Sequence, residues 1–113
     1  MMIEKIILDY LNEALDTCRA YMERPKERPG RFVLVEITGQ RKNENIYYTT
    51  VAIQSYAESL YNAAELDDAI GVIMDSITAL DEIASVELNS SYNFTDGSTG
   101  EYRYQSVFSL VHY

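Results

Sequence analysis

The 113-residue sequence has one cysteine, no tryptophan, two prolines and a single histidine. A lone thiol, Cys18, closes no internal disulfide and has no second cysteine with which to hold a metal cluster, so it is expected to act as a small buried hydrophobe. No apolar run approaches the ~20 residues of a membrane helix. The segment MMIEKIILDYLNEALD carries acids inside its apolar pattern, which does not suit a signal or transit peptide. Cytoplasmic synthesis is therefore expected, and the sequons at Asn89 and Asn93 carry no meaning. Basic side chains are also scarce, nine against eighteen acids, for a net charge of −9. A chain so poor in Lys and Arg is badly suited to gripping nucleic acid, which requires a basic surface that displaces counterions.

Apolar residues at 47% and charged residues at 24% are ordinary globular values. The length suits a single domain, residues 1–113, burying roughly two thirds of its unfolded surface. The charge is unevenly placed. Residues 1–42 hold eight basic side chains against seven acids, whereas residues 43–113 hold Arg103 alone against eleven.

Hydrophobic spacing predicts the elements. Ile3, Ile6, Ile7, Tyr10, Leu11, Ala14 and Leu15 recur at helical intervals, which predicts an amphipathic helix over about 2–16. A short extended piece at 20–22 precedes RPKERPGR, whose prolines and glycine dictate a loop over 24–31. FVLVEI, residues 32–37, reads as a buried strand, GQRKNEN as a polar turn, and IYYTTVAIQ, residues 46–54, as an antiparallel partner. Ser55 and Glu58 match a capping box and predict a second helix over about 56–79. Ala84, Val86, Leu88, Tyr92 and Phe94 alternate with polar residues. TDGSTG turns the chain, and 101–113 completes a hairpin. In that last strand Tyr102, Tyr104, Phe108 and Leu110 share one face, and Val107, Val111 and Tyr113 the other. The order α-β-β-β-α-β-β predicts an α+β fold, a mainly antiparallel sheet with two helices packed on one face.

Catalytic signatures are missing. No nucleophile elbow, phosphate loop or Cys/His pair occurs. His112 is expected to be a solvent-exposed strand residue, and the acid pairs Asp67-Asp68 and Asp81-Glu82 solvated surface, since adjacent helical positions do not share a face. NFTDG lacks the ligand ladder of a calcium loop and reads as a turn. No enzyme activity, cofactor or metal is therefore expected. The ten tyrosines suit interfaces, since each buries a large area for little rotamer entropy. The basic residues Arg24, Lys26, Arg28, Arg31, Arg41 and Lys42 lie in or beside two loops. A basic edge and an acidic body allow copies to join head to tail.

Four stretches carry a family resemblance: MIEKIILDYLNEAL, YMERPKERPGRFVLVEITG, VAIQSYAESLYNAAEL and LNSSYNFTDGSTGEYRYQSVFSLVHY. With Gln54, Ser55, Tyr56 and Ala57 at the strand-to-helix junction and Tyr102, Tyr104 and Phe108 in the last strand, the chain resembles the tail-terminator, or tail-completion, proteins of long-tailed bacteriophages and of prophages in Gram-positive bacteria. The resemblance implies a structural protein of the virion, placed at the head-proximal end of the tail and assembled in the host cytoplasm. It implies self-association, usually into a hexameric ring, contact with the major tail tube protein and with a head-completion or connector protein, and DNA passing through without specific binding. No membrane is involved. Val111 and Tyr113, on the outer face of the last strand, would then be covered by a neighbouring subunit. The alternatives are another head–tail joining or minor tail protein, or a small α+β ligand-binding domain.

Overall fold

A computed structural model of the chain describes residues 2–27 and 29–113; Met1 and Arg28 lie outside the described residues. Helix α1, Ile3–Ala14, buries Ile3, Ile7 and Leu11, which stand one turn apart on a single stripe. It ends two residues earlier than its apolar pattern suggests, because Leu15 is already extended. The Asn12 side chain then holds the chain like a strand partner. Its Nδ2 donates to the Ala20 carbonyl at 3.2 Å, and its Oδ1 accepts from the Ala20 N–H at 2.7 Å. This seats β1, Ala20–Tyr21, parallel to the next strand.

Strands β2, Phe32–Asn43, and β3, Ile46–Ala57, form one long hairpin. The turn is only Glu44-Asn45, both at positive φ (51° and 69°). Two consecutive left-handed residues match the twist of the flanking strands, and asparagine tolerates that region well. The turn expected over 39–45 is therefore mostly strand. Polar Gln40, Arg41, Lys42 and Asn43 fit a ribbon wet on both sides, reached through a register shift between Ile37 and Gly39.

Helix α2, Leu60–Asp75, is followed by a 3₁₀ turn, Ile77–Ala79, then β4, Ile83–Asn93, and β5, Tyr102–His112. The expected capping box does not form. Ser55 lies inside β3, paired with Val33 on one side and Tyr104 on the other, and those ladders outweigh a local cap. The helix is capped by Ser59, whose hydroxyl accepts from the Asn62 N–H at 3.1 Å. The β4–β5 connection is the turn expected of NFTDG: Asp96 Oδ1 accepts from the N–H and the hydroxyl of Ser98. Those bonds, the hydroxyl first, hold the Asp96 carboxyl down to about 2.

The sheet order is β1-β2-β3-β5-β4, antiparallel except for β1. The α+β fold and the order α-β-β-β-α-β-β follow the sequence reading. Both helices pack on one face. Val33, Val35, Val51, Ile53, Phe108 and Leu110 from the sheet meet Ile7, Leu11, Leu66, Ile70 and Met74 from the helices. Each such side chain stabilises the fold by roughly 1.5–3 kcal/mol. Cys18 is half-buried against this core, and burial pushes its thiol up. Among the described residues no helix is long and apolar enough to cross a membrane.

Two serines separate the cap from its decoy. Ser59→Ala should cost about 1 kcal/mol in urea unfolding. Ser55→Ala should be neutral or stabilising, because the buried Ser55 hydroxyl has no partner among the described residues. A large loss at Ser55 would restore the capping-box assignment.

Candidate functional site

Alternation along each strand puts Phe32, Leu34, Gln54, Tyr56, Arg103, Gln105 and Val107 on the face opposite the helices, where the described residues supply no second layer. Phe32 and Tyr56 are nevertheless only 3% exposed. Their rings stack at 4.4 Å, and two guanidiniums close over them. Arg24 lies 5.1 Å from the Tyr56 centroid and Arg103 5.8 Å. Both donate to the Tyr56 hydroxyl, at 3.2 and 3.0 Å. That hydroxyl donates in turn to Gln54 Oε1 at 3.1 Å, Gln54 donates to Gln105, and Gln105 donates to the Tyr92 hydroxyl. Arg103 covers Phe94 at 4.4 Å and donates to the Phe94 carbonyl. Arg24 is further fixed by a two-pronged pair with Glu101 at 3.1 and 3.0 Å. One cross-linked polar and aromatic layer thus spans β2, β3, β5 and β4. Its hydrogen bonds are mutually satisfied and its surface is stiff, which suits docking.

Most of this cluster is hidden from sequence reasoning. The tyrosine excess pointed toward it, but Tyr92 parts from the face of Val86 and Leu88 through the second of two register shifts in β4, which lie between Ile83 and Ser85 and between Leu88 and Ser90. Val86 and Leu88 pair with Leu110 and Phe108 on the helix face. Beyond the second shift Tyr92 pairs with Gln105 on the open face. The single face expected for Ala84, Val86, Leu88, Tyr92 and Phe94 is therefore split.

The same shift turns Ser91 toward α2 and corrects a second expectation. Asp67 is buried on the face of α2 that carries Ala63, Leu66, Ile70 and Met74, while Asp68 is exposed. Its carboxylate accepts from Ser91 at 2.5 Å and Ser106 at 2.6 Å. It is a structural clamp between α2 and the sheet, not solvated surface.

His112 is likewise buried, 5% exposed, because β5 lies inside the sheet and even-numbered residues of that strand face the core. Its ring stacks on Tyr47 at 5.3 Å, and Nε2 meets Thr49 Oγ1 at 2.7 Å. Thr49 also accepts from Gln40 at 2.9 Å. Burial holds the imidazole below its usual pKa, against a smaller opposing effect of a backbone hydrogen bond with Tyr113.

The expected partner-binding residues fall into two separate groups. Arg24 and Arg31 lie at one end of the sheet, Arg31 paired with Glu58 at 3.1 Å, with Lys26 exposed in the loop beside them. A hydrogen bond with the Glu58 backbone, and after it that pair, holds the Glu58 carboxyl low. Arg41 and Lys42 lie at the other end, within β2 and not in a loop. They stand over Tyr48 at 4.0 Å and Tyr47 at 5.5 Å. The nine steps from Phe32 to Arg41 span roughly 30 Å of strand. Val111 is half-buried on the open face, paired with Tyr48, and joins Arg41 in lining a shallow cleft of about 400 Å³. Tyr113 is 67% exposed and donates its N–H to the Glu82 carbonyl. Arg28 lies outside the described residues. Among the described residues no group of three His, Cys, Asp or Glu side chains could hold a metal ion.

No family model and no curated protein matches the chain.

Two outcomes test this geometry. Tyr56→Phe removes an acceptor shared by two guanidiniums and a donor to Gln54, and should cost about 1–3 kcal/mol in urea unfolding, with the fold retained. For His112, the folded pKa is depressed, so the unfolded chain binds the extra proton first. Stability should be full above the ordinary histidine value of about 6.5 and fall as pH drops through the folded pKa. Thermal melts between pH 7.5 and 5 should show this decline, and His112→Gln should flatten it.

Proposed function

We propose that the protein is a non-catalytic assembly protein of a phage tail. It forms a ring at the head-proximal end of the tail tube, stops tube growth and presents the surface that joins the head. The observation that carries this reading is the open sheet face. Ala52 is 2% exposed there although the described residues supply no layer over it, and Leu34, Val107 and Val111 are half-buried beside it. A stiff, partly apolar surface of this kind suits contact with other protein subunits. The likeness to tail terminators supports the choice of partners, namely the tube protein and a head connector. The acidic balance of residues 43–113 supports a bore that DNA crosses without sticking.

Electron microscopy of tails assembled without this protein tests the proposal. Tubes of uncontrolled length are expected. Tails of normal length that fail to join heads would instead assign it to another head–tail joining role, and normal particles would remove it from assembly altogether.

A further inference from the structure

The two edges of the sheet differ in charge and are both open. On one edge β1 covers only Val33 and Leu34 of β2, so among the described residues Glu36–Asn43 have a strand partner on one side alone. On the other, β4 pairs among the described residues only with β5. Residues 19–42, which build the first edge and its loop, hold seven basic side chains against three acids. Residues 58–93, which build α2 and β4, hold eight acids and no Lys or Arg.

Between α2 and β4 runs a groove of about 520 Å³ lined by Asp68, Gly71, Val72, Asp75, Leu88 and Phe108. Val72 is 74% exposed and Leu88 51%. No atom lies within 4 Å of where a Gly71 side chain would begin, so the groove is open along the helix. A neutral partner would leave its acidic rim unmatched. A basic one would not.

We propose that this groove and the β4 edge receive the free half of β2, residues Ile37–Asn43, from a second copy of the chain. This deepens the ring reading and rests on it for closure. Three independent features agree. First, strand direction fits. Counting across β2, β3, β5 and β4, each strand opposes its neighbour, so β2 and β4 run oppositely. A second copy added in the same orientation therefore makes an antiparallel pair and keeps all helices on one side.

Second, side-chain facing fits. Arg41 pairs with Tyr48 on the open face, the face on which β4 carries Glu87 through its pairing with Ser109. Lys42 pairs with Tyr47, whose partner is His112, on the helix face. That is the side where Asp68 and Asp75 rim the groove. Third, half-buried Ile37 also lies on the helix face, opposite Val51, and supplies an apolar side chain for Val72 and Leu88. The contact is heterologous, so each copy keeps one free edge of each kind until a ring closes. The bulges on both edges keep each pairing short, which blunts indiscriminate sheet growth.

The test uses two charge-reversed chains, R41E/K42E and D75K/E87K, all at exposed positions. Circular dichroism first checks that each is folded. Light scattering at low salt should show the wild type forming oligomers larger than dimers, and each variant should need a more than tenfold higher concentration to associate. An equimolar mixture of the two should recover oligomers larger than dimers, since the sound β2 edge meets the sound β4 edge and the acidic, reversed β2 edge meets the basic, reversed β4 edge. Wild-type protein that stays monomeric, variants that oligomerise as it does, or a mixture that associates no better than either variant alone would each overturn the proposal. Tube capping is scored separately. Edge-dependent self-association without capping would leave this inference standing and remove the tail role; capping by both variants would do the reverse.

Discussion

Everything in the molecule follows from covering a five-stranded sheet on one side only. Two helices suffice to bury Val33, Val35, Val51, Ile53, Phe108 and Leu110, and that face is a conventional apolar core. The opposite face must then be both a sheet surface and the outside of the protein. The chain meets this demand by interlocking Arg24, Tyr56, Arg103, Gln54 and Gln105 over stacked Phe32. Among the described residues the apolar rings are shielded from water without a second layer, because guanidinium groups stand over aromatic faces while their N–H groups stay bonded.

The fold was legible where a period was long and undisturbed. α1 and the strand cores at 32–37, 46–54 and 101–113 were marked by their spacing, and the element order fixed the layer architecture. Boundaries were lost where local signals competed with pairing across the sheet. Ser55 and Glu58 have the spacing of a cap, yet Ser55 has a strand on each side. Residues 39–43 have turn composition, but a two-residue turn at Glu44-Asn45 lets them pair.

The candidate site was less legible, for a definite reason. Register shifts carry no composition signature, and those in β4 decide that Tyr92 joins the aromatic layer and that Ser91 reaches Asp67. His112 was misplaced because linear position says nothing about rank in a sheet. The last strand in sequence is flanked on both sides. The basic residues stand out by composition, but the structure divides the described ones between the two ends of the sheet. Among the described ones Arg41 and Lys42 alone stand on a free strand edge.

The central place of β5 also governs how the chain is made. Val51 must wait for Phe108, 57 positions later, before its second neighbour exists. At ordinary elongation speeds of about 5–20 residues per second, that delay is roughly 3–11 s. Until then Val51 and Ile53 can have only β2 beside them, for far longer than the microseconds in which a hairpin forms. The time for which Val51 and Ile53 lack β5 is therefore set by translation. Synonymous codons between residues 58 and 102, which alter no contact in the finished protein, act directly on that interval.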